Sequence, residues 1–365
     1  MVYHYVTNVT ERCINLTISF MAGRRIQGLA SDLTATQLPA GTVGGWKLLG
    51  RTSIGTATNP VTVSNLADKR YLMVLTHGIN LNAGTNLTSG FRLNGDTSDN
   101  YAYNYQFNNG TNTTANSNTW GLLNVTGGYP VRSFAVTHIA NKSDSEKLCI
   151  SNGMSSNDRR TESVTKWANA TDSVDEFNFY DVNPNSMASG SEAVVLGWDP
   201  SDTHTDSFWE ELDSVTSTGS ESGTWTSNTF TPKKYLWIQT FFTGCSSDPN
   251  YRFGTGGTID TGSNYSYNYS VNGASDTTGT NTSLVVGSTY TGTGFCNTFI
   301  VNASGNEKLI IHHVARQDST GQNAPSYRFE SGGRWANNGQ IDKVQWYKSS
   351  ITFGAGCKMK IWGAD

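Results

Sequence analysis

Residues 96–105 read DTSDNYAYNY and residues 260–269 read DTGSNYSYNY, so seven of ten positions recur 164 residues later. The neighbours recur too, in order and at nearly constant offset. Trp46 answers to Trp209, KRYLMVLT (69–76) to KKYLWIQT (233–240), and NKSDSEKLCI (141–150) to NASGNEKLII (302–311). KWAN (166–169) answers to RWAN (334–337), and GSEAVVLGWD (190–199) to GCKMKIWGAD (356–365). A repeating unit of about 165 residues far exceeds the roughly 20–50-residue period of solenoids and propellers, so each copy is a whole domain.

These landmarks place repeat one at 45–199 and repeat two at 207–365, joined by the polar segment PSDTHTD that opens at Pro200. Residues 1–44 have no counterpart and form an N-terminal arm, with Met21, followed by small and basic residues, as a candidate internal start. The arm's apolar run around Ile14 to Met21 is too short and too polar for a membrane span, and the charged-then-apolar order of a secretory signal is missing.

No stretch of twelve residues keeps a helical period. Short runs of β-branched and aromatic residues, bounded by Gly, Asn, Asp or Ser, recur instead: 71–76, 101–107, 132–139, 147–151 and 193–198, with partners in the second copy. The fold class is all-β: two tandem homologous β-sandwich domains, jelly-roll-like, with room for eight strands each plus long loops.

Charged residues make up 15% of the chain, against about 25% in ordinary globular domains, and the net charge is −4. No basic cluster extends beyond Arg24 and Arg25, so nothing here has a nucleic-acid footprint. The five cysteines (13, 149, 245, 296 and 357) show no CxxC spacing and do not recur between copies, which favours single buried thiols over a disulfide framework or a zinc site.

In the doubled phrase, Asp-Thr-x-x-Asn can form an Asx-type turn leading into a strand. Tyr101, Tyr103 and Tyr105 then share one face, as do Tyr265, Tyr267 and Tyr269, while the opposite face is small and polar. The candidate contact residues are therefore Asp96, Asn100, Tyr101, Tyr103 and Tyr105, with Asp260, Asn264, Tyr265, Tyr267 and Tyr269. Two roles suit them. The tyrosines can face the core or a neighbouring subunit, or they can stack on sugar rings with Asp96, Asp99 and Asn100 as hydrogen-bonding or calcium ligands. Alternating tyrosines are what a half-buried strand selects anyway, and Ser263 replaces Asp99 in repeat two, so packing is the first reading.

No GxSxG, HExxH or P-loop pattern occurs, and none of the six histidines (4, 77, 138, 204, 312 and 313) has a counterpart in the other copy. The expectation is no enzyme, no cofactor and no metal. What both copies keep is Trp46/Trp209, Tyr71/Tyr235, Glu146/Glu307, Lys147/Lys308, Trp167/Trp335 and Gly197/Gly363, a set of packing and turn determinants. The Glu-Lys pair reads as an exposed pair at a strand start. Twelve Asn-x-Ser/Thr sequons exceed only mildly the roughly eight that composition alone would give, which makes them weak evidence of glycosylation.

The phrases GGWKLLGRTSIG, DKRYLMVLTH, FRLNGDTSDNYAYNY, NKSDSEKL, KWAN and GSEAVVLGWDPSDTHTDSFWEEL, together with GRRIQGLASD in the arm, resemble β-rich virion structural proteins of marine tailed phages and archaeal viruses. The resemblance spans roughly 45–365 and implies a jelly-roll-like virion component, with no catalytic residues to carry over. It departs where LNGDT gives way to FGTGGTIDT in repeat two. The expectation is a capsid or surface (turret, spike or tail-associated) component that assembles with copies of itself, as a trimer or pentamer, and with other virion proteins. The alternative is a lectin-like module binding host-surface glycans.

Overall fold

The computed structural model describes residues 45–80, 88–108, 110–125, 131–183, 187–202, 207–286, 293–317 and 327–365. The arm, with His4 and Cys13, and His204 in the linker lie outside them. Every regular element among the described residues is a strand, and no helix is long and apolar enough to cross a membrane.

Repeat one comprises β1 (Lys47–Ser53), β2 (Val61–Ser64), β3 (Tyr71–Asn80), β4 (Thr88–Leu93), β5 (Tyr101–Phe107), β6 (Thr113–Asn118), β7 (Gly121–Val125), β8 (Val131–Ala140), β9 (Lys147–Ser155), β10 (Arg159–Trp167), β11 (Glu176–Asp181) and β12 (Glu192–Trp198). Repeat two comprises β13 (Glu210–Thr216), β14 (Ser222–Thr226), β15 (Tyr235–Phe242), β16 (Asn250–Thr255), β17 (Thr258–Ile259), β18 (Tyr265–Val271), β19 (Thr277–Asn281), β20 (Thr293–Val301), β21 (Lys308–Gln317), β22 (Tyr327–Trp335), β23 (Lys343–Thr352) and β24 (Lys358–Ala364).

Each repeat lays an eight-stranded sheet on a four-stranded one. Repeat one has the orders β1-β12-β3-β8-β9-β10-β5-β6 and β2-β11-β4-β7; repeat two has β13-β24-β15-β20-β21-β22-β18-β19 and β14-β23-β16-β17. Pairing is antiparallel and nested, the first strand of each repeat lying beside the last and the second beside the last but one. That is jelly-roll-like wrapping.

Twelve strands per repeat exceed the eight expected from the sequence. Many of the additional ones are edge strands such as VTVS (β2), TTANSN (β6) and TTGTN (β19). β6 and β19 are exposed polar strands that carry little alternation and are recruited by backbone hydrogen bonds to a neighbour, whereas β2 is simply short, with Val61 and Val63 in the core. The loop lengthened in repeat two is a tight hairpin between β16 and β17. Its two turn residues, Gly256 and Gly257, both have positive φ, as a two-residue hairpin that follows the strand twist requires.

Between the two sheets of repeat one lies a core that includes Val74, Phe91, Tyr101, Trp167, Phe177 and Phe179. Phe253, Tyr251, Tyr265, Trp335 and Trp346 take corresponding parts in repeat two. A third apolar cluster belongs to neither sandwich. It joins the outer faces of the two eight-stranded sheets, with Met73, Leu75, Phe134, Val136 and Met154 from repeat one meeting Trp209, Tyr235, Phe299, Leu309, Ile311 and Trp362 from repeat two.

Candidate functional site

The doubled phrase forms the same clamp twice. The Asp96 carboxylate accepts hydrogen bonds from the Ser98 amide (2.8 Å), Asn100 Nδ2 (2.8 Å) and Trp167 Nε1 (2.7 Å). Asp260 accepts them from the Gly262 amide (2.8 Å), Asn264 Nδ2 (2.8 Å) and Trp335 Nε1 (2.8 Å). Partial burial alone would raise both carboxyls, but the side-chain amide and indole donors more than offset this and hold them below the usual range. Among the described residues no group of three or more His, Cys, Asp or Glu could hold a metal ion.

Tyr101 and Tyr265 are buried. The backbone N–H groups of Leu93 and Phe253 donate to their hydroxyls at 2.9 Å each, and the rings stack on Trp167 and Trp335 with centroids 6.3 Å apart in both repeats. The other four tyrosines are half-buried. Tyr103 leans on Trp120 and Tyr105, while Tyr267 and Tyr269 pack on each other and Tyr269 on Phe329. Asp99 is exposed. The clamp yields a direct prediction. Asp96→Ala should cost about 2–3 kcal/mol, because it strands a buried indole N–H and removes charge-assisted bonds, whereas Asp99→Ala should stay within about 0.5 kcal/mol. Urea unfolding followed by tryptophan fluorescence measures both, and equal losses would count against the clamp.

The shared Lys147 and Lys308 correct the expectation of an exposed pair, since both are fully buried. Lys147 Nζ donates to the carbonyls of Ser145 (2.8 Å) and Asn169 (3.0 Å) and lies 5.8 Å from the centroid of the Trp167 ring. Lys308 Nζ donates to Ala303, Asn306 and Asn337, and burial pulls its pKa down to about 8. A second matched device went unread in the sequence. Arg92 lies over Tyr180 and donates to the Thr119 carbonyl, as Arg252 lies over Tyr347 and donates to the Thr282 carbonyl. The arginines recur within FRL and YRF, a signal that was available.

The small polar face of β18 makes contacts of its own. Ser266 Oγ donates to Asp158 (2.6 Å), and Asn268 Nδ2 donates to Asn108 Oδ1 (2.9 Å) and to the Asp158 carbonyl (3.0 Å). All three bonds cross between repeats. Arg334 donates to the Ser156 carbonyl at 2.8 Å. At one edge of the same interface the Glu192 carboxylate receives the Tyr235 hydroxyl (2.5 Å) and the Lys234 ammonium (2.7 Å). At another, the buried Arg160 guanidinium meets Glu162, Asp276 (2.8 Å) and Glu330 (3.5 Å). Charges this enclosed need their partners.

Part of repeat one's outer face is left uncovered by the described residues. Grooves of about 500 and 370 Å³ cross it, the first lined by Ala102, Tyr103, Leu148, Ile150 and Val164, the second by Trp46, Tyr71, His138 and Trp198. His77 and His312 are buried and held neutral, while His313 borders Glu330 and Arg160 at the interface.

All four described cysteines are buried and outside any disulfide, but two lie together, with the sulfurs of Cys245 and Cys357 3.8 Å apart. The Cys245 thiol and the Thr243 amide, acting as donors, favour the Cys357 thiolate and hold its pKa below the usual thiol range. Mild oxidation should therefore remove two hydrogens from the folded chain and raise its Tm, with closure of a loop of 112 residues limiting the gain to about 5 kcal/mol. Intact mass and a thermal melt before and after oxidation give the answer, and four titratable thiols remaining in the described region would refute it.

No protein-family model and no curated protein matches the chain. Among solved structures, the mouse laminin alpha1 chain, domains LG4-5, aligns over 90% of this chain and 92% of its own at 12% identity and a TM-score of 0.20. The LG1-3 region of the laminin alpha2 chain aligns over 87% and 63% at 9% identity and a TM-score of 0.21. Scores this low carry no functional argument.

Proposed function

We propose that the chain is a virion structural protein, a capsid or surface-exposed component that assembles as a symmetric oligomer. One observation carries this reading: what the duplication preserved is scaffolding. The Asp-Asn-Trp clamp, the buried lysine and the arginine-aromatic pair recur residue for residue, while histidines and thiols do not. Repeated scaffolding with unrepeated reactive groups fits a building block selected for shape. The resemblance of the repeated phrases to β-rich virion proteins supplies the setting.

A glycan-binding module would use the groove beside Tyr103. Leu148, Ile150 and Val164 make that groove mainly apolar, which suits a protein surface better than a sugar. The test is mass spectrometry of purified particles from a host producing this chain, with native mass of the isolated protein alongside. Recovery at a fixed stoichiometry in particles supports the proposal. Absence from particles together with binding on a glycan array would replace it.

A further inference from the structure

The contact between the repeats is head-to-tail, and among the described residues it leaves each repeat with an unused half. Strand register defines two ends on each outer face. In repeat one, Trp198, Tyr71, Ala140 and Leu148 align at one end, and His77, Phe134 and Met154 at the other. In repeat two, Ala364, Tyr235, Val301 and Leu309 align at the first end, and Phe241, Phe295 and Ala315 at the second. We call these the tyrosine end and the phenylalanine end. The cluster between repeats joins the tyrosine end of repeat two to the phenylalanine end of repeat one.

Equivalent residues consequently have reciprocal fates. Tyr235, Leu309 and Ile311 are buried, while their counterparts Tyr71, Leu148 and Ile150 are 39%, 57% and 57% exposed. Phe134 is buried, while its counterpart Phe295 is 44% exposed; Phe241, in the place of buried His77, is 43% exposed. The large exposed apolar side chains among the described residues are Leu48, Tyr71, Leu148, Ile150, Val164, Phe241 and Phe295. All but Leu48, which borders Leu196 of the cluster between repeats, lie on one of the two unused ends. Arg328 repeats the pattern, 61% exposed beside Glu330, where its counterpart Arg160 is buried under the neighbouring repeat.

We infer that the tyrosine end of repeat one docks on the phenylalanine end of repeat two of a second copy, reproducing between chains the contact already made within one. Size complementarity supports this occupant. Inside the chain, Met154 of repeat one presses on Gly332 of repeat two so closely that a Cβ at Gly332 would lie 2.1 Å from its sulfur. At the unused ends the sizes are exchanged, with Val164 in the place of Gly332 and exposed Ala315 in the place of Met154. The bulk moves to the other partner, as a contact of the same geometry requires. Asn104 and Asn272 likewise stand where Asn268 and Asn108 form their bridge. Because the two docking surfaces differ, the contact is heterologous and builds a ring or a filament. The inference extends the assembly reading above but stands on the interface alone.

The test uses the full chain in native mass spectrometry and light scattering over a concentration series. Wild type should be oligomeric. Ile150→Asp and Phe295→Asp, both at exposed positions, should each shift the chain to monomer, weakening association at least tenfold while keeping the melting temperature that wild type shows when diluted to monomer. Mixed one to one, these two variants should form a heterodimer and nothing larger, since each retains the end that the other lacks. A chain carrying both Val164→Cys and Ala315→Cys should crosslink into multimers on oxidation. A two-fold dimer through paired tyrosine ends would leave the Phe295→Asp chain dimeric and overturn the inference, as would a wild type that stays monomeric or variants that assemble like wild type. Presence in particles is scored separately, so the chain's place in a virion can fail while the docking stands, and the reverse.

Discussion

Arg160→Met is expected to lose about 3–5 kcal/mol of stability, the usual cost of removing one partner from a buried ionic group. Arg160 is buried where the repeats meet, and it is the cation shared by Glu162, Asp276 and Glu330. The Glu330 carboxyl is already raised, by burial first and then by the neighbouring Glu162 carboxylate. Removing the guanidinium leaves three crowded acids, with Arg328 reaching only Glu330 and from a solvent-exposed position. Protonation of Glu330, whose carboxyl is already raised, should then partly relieve the variant, so the gap from wild type should narrow as pH falls toward 5. Adding Asp276→Asn and Glu330→Gln should restore most of the loss, because the one carboxylate then left without its cation is the partly exposed Glu162. Urea unfolding of the single and triple variants measures this. A single variant as stable as wild type would mean that the cluster is solvated.

Acidification from pH 7 to pH 5 should cost the wild type about 4 kcal/mol, about 2 kcal/mol from each of two buried histidines. Burial is the main cause that lowers His77 to about 3, helped by the nearby Lys234 and Arg132, and it lowers His312 to about 3 with help from His313. The folded values lie below the unfolded one near 6.5, so the unfolded chain binds more protons on acidification. This stabilisation is therefore complete above pH 6.5 and disappears as pH falls toward 3. His313, lowered to about 4 by burial, acts in the same direction. A His312→Gln chain keeps a hydrogen-bonding partner for Thr298, which His312 Nδ1 meets at 2.6 Å, and should show a shallower pH slope. A melting temperature that stays level between pH 7 and pH 5 would contradict the assignment.

Much of the fold was legible because it was written twice. Runs such as YLMVLT and YAYNYQF carry enough β-branched and aromatic residues to define β3 and β5 without help. The clamp could be anticipated as a turn, but its indole partner could not, because Trp167 lies 71 residues beyond Asp96. Lys147 was misread since a lysine beside a glutamate signals solvent, and only the carbonyls gathered around its tip show otherwise. The contact between repeats did leave a trace. LMVL at 72–75 and VVL at 194–196 are unbroken apolar runs, the mark of strands covered on both faces. LCI at 148–150 has the same look, yet one of its faces is open. Sequence pattern records that a face is meant to be covered, and the covering partner can be another molecule.

The nested pairing has a kinetic consequence during synthesis. Lys47 pairs with Gly197, so the first strand of repeat one waits for the last. At a translation rate of about 10 residues per second, roughly 15 s separate the emergence of these two strands. Through that interval β3 also has a bare edge, because β12 is its neighbour on that side. Long-range antiparallel pairings of this kind close slowly. Repeat one thus completes its large sheet only as the linker leaves the ribosome, and the part of its apolar outer face that repeat two covers stays bare until repeat two has been made.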